Sequence, residues 1–176
     1  KSTKSKSPGN QVFAGFVNFA AQCYGYMIIH DDYINLKDVG PYVTIGVFDG
    51  VHLGHQALLH RLVSEARENR GESVVITFDT HPKLVIDNVN EGISFLTTMT
   101  EKKQLLEKCM IDHLIVINFT INLGNIEAGD FIRDVLVNRI GVKHLLVGYN
   151  NHFGKAKGGD ISKIREYAAI YGFTAG

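Results

Sequence analysis

Gly46-Val47-Phe48-Asp49-Gly50-Val51-His52-Leu53-Gly54-His55 is the stretch that sets the fold of this chain. An apolar run, Val43–Phe48, leads into it, and a segment with helical periodicity follows. Ala57, Leu58, Leu62 and Ala66 fall on one face of that segment, and Gly71 ends it. Strand, glycine turn and helix in direct succession assemble an anion site from several parts. The glycines let the backbone turn tightly and approach a ligand closely. The helix start offers free amides and the positive end of its dipole. His52 and His55, three residues apart, add donors aimed at the same anion. The stretch lacks the lysine and spacing of a Walker loop, and it is not a GxGxxG fingerprint. A plainer reading has one histidine capping the helix and the other packing against it.

Working outward, the same alternation recurs. Further apolar runs that fit buried strands lie at Val74–Phe78, His113–Ile117 and Lys143–Val147. Between them, Leu105, Leu106 and Cys109 mark a helix opened by Thr98-Met99-Thr100-Glu101, which fits a capping box. Phe131, Val135, Leu136 and Arg139 mark another, stopped near Gly141. Asp160 can cap a fourth, which Gly172 would close. Continuous apolar strands alternating with helices predict an α/β domain: a Rossmann-like parallel sheet flanked by helices. Ligands of such sheets bind at the carboxyl ends of the strands, near a reversal of strand order.

The bulk numbers agree with one domain. A chain of 176 residues can bury about 70% of the surface its unfolded form exposes. Lysine plus arginine equal aspartate plus glutamate at 18 each, so no broad nucleic-acid or membrane surface is indicated and any anion needs a local site. Cys23 and Cys109 follow no metal-ligand spacing and read as free thiols of a reducing compartment, the cytoplasm. Residues 1–26 read as a leader or extension. Lys1, Lys4 and Lys6 lie among serines, and no further charge follows until Asp31. The run Val12–Ile29 is too polar and glycine-rich to span a bilayer, although Val12, Phe13, Phe16, Val17, Ala20 and Tyr24 can line a helix face. Met27 is a natural start, which gives a domain over residues 27–176.

Four motifs together resemble the HxGH nucleotidyltransferases, in the form used by bacterial FAD synthetases. The first is residues 46–55. Thr77-Phe78-Asp79-Thr80-His81-Pro82 follows the second strand, as a similar segment does in that family. Leu96-Thr97-Thr98 with Glu101-Lys102 resembles the family's helix start. Gly141-Val142-Lys143-His144 through Gly148-Tyr149-Asn150-Asn151-His152-Phe153-Gly154 resembles a fourth family segment.

The resemblance implies transfer of AMP from ATP to FMN, giving FAD and pyrophosphate, with magnesium arriving with ATP. Such an in-line displacement needs positioning and charge neutralisation more than a protein nucleophile. It implies His52 and His55 as phosphate binders, with His55 the stronger candidate for the transition state. Asp49 and Gly50 would shape the loop, and Gly46 and Phe48 would admit ATP to the backbone. Asp79 reads either as a contact to ribose, metal or flavin, or as a cap of the turn before Pro82. His81 is a flavin-site residue or a packed turn histidine. Asn150 is a phosphate contact or a turn former. Phe153 belongs to the same binding segment, and Lys155 with Lys157 either steers phosphates or lies in a solvated loop. His144 reads as structural, and His30, His60 and His113 as surface or packing residues.

The match has gaps. Thr80 stands where the family commonly has proline, and Asn151 and His152 where it has an aromatic and a basic residue. Residues 27–176 are expected to be a domain cut short at its C-terminal end, just as a fifth strand begins, with a riboflavin kinase domain absent. Two other readings compete: a nucleotidyltransferase for a different phosphorylated substrate, and a catalytically incomplete nucleotide- or flavin-binding module.

Overall fold

The computed structural model describes residues 26–86, 95–148 and 161–176. Each of the four apolar runs becomes a strand. They are β2 (Tyr42–Ile45), β3 (Ser73–Phe78), β4 (His113–Ile117) and β5 (His144–Leu145). Thr174–Ala175 forms β6, the strand expected near the chain end. A short strand not foreseen from sequence, β1 (Ile28–His30), joins the other edge. All pairings are parallel, in the order β1-β4-β3-β2-β5-β6.

The helices alternate with these strands. They are α1 (Leu53–Glu68), α2 (Pro82–Ile86), α3 (Met99–Lys108), α4 (Ile121–Gly124), α5 (Ala128–Phe131) and α6 (Ile161–Tyr171). From α5 the chain continues without a break into Ile132–Ile140, wound at the wider π spacing. Gly141, at φ 80°, ends it with its amide on the Leu136 carbonyl. Asp160, the expected cap of α6, lies outside the described residues, but Gly172 closes that helix at φ 77°. The Thr98–Glu101 capping box is complete. The Glu101 amide donates to Thr98 Oγ1 at 3.2 Å, and the Thr98 amide donates to Glu101 at 2.8 Å. Among the described residues, no helix is long and apolar enough to cross a membrane.

The strands are apolar on both faces because both faces are covered. Val43, Ile45, Val74, Ile76 and Ile115 point to one side, against Ile132, Leu136, Ile140 and Ile164. Val75 and Leu114 point to the other, against Leu59, Leu62 and Ala66 of α1 and Leu106 of α3. This is the period-two alternation of a strand, with both sets of side chains buried. Full burial of a leucine or isoleucine contributes about 1.5–3 kcal/mol, so the two layers fix the strand register firmly.

The strand order determines where a ligand can bind. From β2 the chain steps outward through β3 to β4, then returns to place β5 on the opposite side of β2. The connections therefore diverge between β2 and β5, leaving a crevice at their carboxyl ends. The glycine turn begins there.

Candidate active site

The Gly46 amide still donates to the Ile76 carbonyl at 3.0 Å, so the turn starts where the β2 ladder ends. Phe48 then adopts φ 49°, Gly50 φ 70° and Val51 φ 36°. Left-handed backbone suits glycine. For a phenylalanine and a β-branched valine it is uncommon and costs on the order of 1–3 kcal/mol each. Such strain persists only where the surroundings hold it. Phe48 and Val51 are both buried, Thr77 Oγ1 donates to the Val47 carbonyl at 3.1 Å, and Gln56 Nε2 donates to the Val51 carbonyl at 2.9 Å. Gly46 allows the fold-back, since a Cβ there would lie 3.0 Å from the Phe48 ring.

Asp49 is the main fastening of the turn. Its carboxylate accepts from the Leu96 amide at 3.1 and 3.0 Å and from the Thr97 amide and hydroxyl at 3.1 Å each. Gly50 donates its amide to the same Thr97 hydroxyl at 3.1 Å. Burial by itself would raise the Asp49 pKa, but the hydrogen bonds from Leu96 and Thr97 outweigh it, and the group lies below the usual carboxylate range. The Leu96-Thr97-Thr98 motif thus fixes the glycine turn while Thr98 caps α3.

His52 caps α1, its Nδ1 accepting from the His55 amide at 3.3 Å. In the neutral ring this places the proton on Nε2, free to donate outward. The His52 and His55 rings stack with centroids 3.7 Å apart, and the Phe48 ring meets His55 edge-on at 5.1 Å. His55 is half-buried, and its Nδ1 is enclosed with no hydrogen-bond partner among the described residues. Burial first, then the neighbouring His52 charge, lowers the His55 pKa; Asp49 opposes this and Lys102 adds to it.

These residues wall a cleft of about 540 Å³. Gly46, Phe48, Asp49, His52 and His55 come from the turn and α1, His81 from across β3, and Gly148 from beyond β5. The cleft therefore lies over the β2–β5 divergence. His81 accepts the Lys83 amide on Nδ1 at 3.2 Å, and its ring packs against Phe95 with centroids 5.9 Å apart. Burial, and next the Lys83 charge, lowers its pKa.

A second cavity of about 400 Å³ is lined by Asp79, Phe95, Thr97, Thr98 and Lys102. Asp79 is exposed; its Oδ1 accepts from the Phe119 amide at 3.2 Å, which leaves carboxylate capacity open. The sequence motifs therefore reach two neighbouring cavities rather than one.

Comparison with known proteins identifies the lineage of this arrangement. The family model described as FAD synthetase matches residues 35–176. The chain belongs to the FAD synthetase family. A bifunctional riboflavin kinase/FMN adenylyltransferase of Escherichia coli is 35% identical over 76% of this chain and 42% of its own length. One from Listeria monocytogenes is 30% identical over 74% of this chain and 41% of its own. A FAD synthetase from the same organism is 33% identical, covering 73% and 52%. The chain thus spans about half, or less, of these relatives. A solved structure, described as a macrolide-efflux protein from Streptococcus pneumoniae, shares the fold with TM-score 0.69 and 22% identity. That match covers 85% of this chain and 50% of the other.

Of the FAD synthetase motifs read from sequence, residues 46–55, 77–82 and 96–102 converge on the two cavities. Asn150, Phe153 and Lys155 lie outside the described residues, as do Asn151, His152 and Lys157. His144 donates to or accepts from Thr174 Oγ1 at 2.7 Å, and its Nε2 lies 3.4 Å from Glu65, away from the cleft. His60 is exposed.

Three residues gained no individual role from sequence: Thr97, Phe95 and Lys102. Lys102 had a signal. With Leu105, Leu106 and Cys109 it follows the i, i+3, i+4, i+7 spacing of the buried face of α3. It also sits in the first turn, where a cation opposes the helix dipole.

Proposed function

We propose that this chain carries out the FMN adenylyltransferase reaction. An oxygen of the FMN phosphate attacks the α-phosphorus of ATP. The bond from that phosphorus to the bridging oxygen of the β-phosphate breaks, FAD forms and pyrophosphate leaves. The observation that carries this reading is the His52–His55 stack at the start of α1, facing a cleft over the strand-order reversal.

The residues divide the work as follows. The first amides of α1, at Leu53 and Gly54, precede any helical acceptor and point at the phosphates. His52 donates from Nε2. His55, held toward its neutral form by burial, contributes a hydrogen bond to the charge developing on the phosphoryl oxygens. Gly46 and Phe48 bring the backbone against the nucleotide, while Asp49 and Gly50 keep the turn in shape. Asp79 and His81, flanking the second cavity and the cleft wall, receive the flavin substrate. Asn150, Phe153 and Lys155 complete the phosphate and flavin contacts. Magnesium enters as part of the ATP substrate, where it neutralises phosphate charge. Among the described residues, no group of three or more histidine, cysteine or acidic side chains is placed to hold a metal ion.

One observation favours a second reading, a module that binds nucleotide without turning it over. The described lining of the 540 Å³ cleft contains no lysine or arginine. A single experiment separates the two. The chain is incubated with FMN, ATP and magnesium, and FAD and pyrophosphate are followed by chromatography. FAD formation that falls about 10²–10³-fold in His55→Ala is the expected result. Saturable ATP binding without product would establish the binding module, and neither binding nor product would leave only the fold.

A further inference from the structure

Lys102 is the one lysine or arginine among the described residues that is buried, with 2% of its surface exposed. Capping by Thr98 fixes the first turn of α3, and Leu106, one turn on, anchors the same face in the core. The side chain therefore cannot swing out to solvent without unseating the helix. Its ammonium reaches the Phe78 carbonyl at the end of β3, at 3.5 Å. A buried ammonium with one long neutral contact among the described residues is poorly compensated, because removing the charge from water costs several kcal/mol on an order-of-magnitude scale. Its compensation comes from charge. Asp49, in the glycine turn, and Asp79, at the β3 end, both act on Lys102 electrostatically.

We propose, resting on the adenylyl-transfer reading, that Lys102 is a positioning residue: its buried ammonium screens the Asp49 and Asp79 carboxylates, so that anionic substrates can enter between them.

The two carboxylates belong to different cavities. Asp49 borders the histidine cleft, and Asp79 lines the second cavity. ATP and FMN both carry phosphate, and both would otherwise meet an unscreened carboxylate at the approach. One cation in the wall offsets both. The charge of Lys102 also reaches the two histidines. Its charge acts on His55 in α1 and on His81 ahead of α2, in each case against protonation. The groups its charge acts on are thus Asp49 and His55 from residues 46–55, and Asp79 and His81 from residues 77–82. Burial lowers the Lys102 pKa while Asp49 and Asp79 raise it, the net direction being downward. Its charge is consequently lost at lower pH than that of an exposed lysine.

Lys102→Met keeps the length and packing of the side chain and removes the charge; Lys102→Arg keeps the charge. The test reads steady-state FAD formation and, independently, the His55 and His81 titrations by NMR in the substrate-free chain. In Lys102→Met, kcat/KM falls about tenfold to hundredfold, mainly through higher KM for ATP and FMN. Both histidine titrations move upward, and Lys102→Arg restores each. Unchanged kcat/KM and titrations in the methionine variant overturn the proposal. So does lost activity with unmoved titrations, which would show a packing role. Where the methionine variant does not fold, Lys102→Gln repeats the test. Absence of FAD formation by the unaltered chain would count against adenylyl transfer alone, since the titrations decide Lys102 without turnover.

Discussion

The two ends of the sheet treat histidine in opposite ways. At the amino end, His113 is 5% exposed and fully engaged: Nε2 pairs with Glu72 at 2.5 Å and Nδ1 with His30 at 3.0 Å. Next to it, Asp112 accepts from the Ser73 amide at 2.8 Å and hydroxyl at 2.6 Å, tying β4 to β3. At the carboxyl end, His55 has an enclosed Nδ1 with no partner among the described residues, lies against a second imidazole, and follows two non-glycine residues in left-handed conformation. Burying a polar nitrogen without a hydrogen bond costs about 1–3 kcal/mol. Around His113 and Asp112 the buried polar groups are paired; around His55 an unpaired nitrogen and two left-handed non-glycine residues fall within ten residues. A fold retains such violations where a ligand resolves them. His113, which reads from sequence as a surface or packing residue, is a packing residue, and its bonds to His30 and Glu72 join β4 to β1 and to the residue before β3.

Exchanging the damage between the two histidines sharpens the contrast most. His55→Ala lowers FAD formation about 10²–10³-fold and leaves the melting temperature nearly unchanged, since it removes a half-buried ring whose Nδ1 has no partner among the described residues. His113→Ala should do the reverse. It strands Glu72 and frees β1, at about 1–3 kcal/mol, or roughly 2–4 °C of melting temperature per kcal/mol. Turnover per folded molecule stays the same. Paired thermal melts and initial rates decide the matter; equal losses of stability and activity in either variant would erase the distinction.

The next contrast concerns acid. Asp49 has a pKa lowered on folding, so the stability it contributes is fully present above the unfolded value, near 3.8. That contribution disappears as pH falls through the lower folded value. Asp49→Asn places an amide where the Leu96 and Thr97 donors converge. At neutral pH the variant is less stable by about 1–2 kcal/mol, with ATP affinity reduced because the glycine turn loosens. Urea unfolding between pH 3 and 7 should show the two proteins converging below pH 3.8. A constant gap across that range would mean that the carboxylate charge is irrelevant.

How much of this was visible in the residues themselves follows from which interactions are local. Val43–Phe48 and Val74–Phe78 announced buried parallel strands because both faces are apolar. Thr98 and Glu101 announced a helix start because a capping box closes within four residues. The His52–His55 pair could be placed at a helix start for the same reason. The bond from Asp49 to Thr97 could not, since it joins residues 48 apart. Lys102 was obscured by its type, because lysine is ordinarily exposed and only its spacing against Leu105, Leu106 and Cys109 marks it as interior. β1 was illegible on composition: Ile28 and Ile29 are 46% and 43% exposed, and the strand is three residues long. The π-wound stretch after α5 has no sequence signature that periodicity could detect.

The smallest effect tests whether left-handed strain means the same thing at both ends. Met110 follows α3 with φ 57°, just as Phe48 opens the glycine turn with φ 49°. Met110 is 54% exposed, whereas Phe48 is 2% exposed and packed against His55. Its amide already closes the helix on the Glu107 carbonyl at 2.9 Å, a bond glycine would keep. Glycine there relieves about 1–2 kcal/mol of steric cost and gives back about 0.5–1 kcal/mol as backbone entropy. Met110→Gly should therefore gain roughly 0.5 kcal/mol, or about 1–2 °C, with unchanged FAD formation. The same substitution at Phe48 loses a buried ring and should destabilise. If Met110→Gly also destabilises, the positive φ at the amino end is held as firmly as the one at the site, and backbone strain no longer separates the working end of the sheet from the structural one.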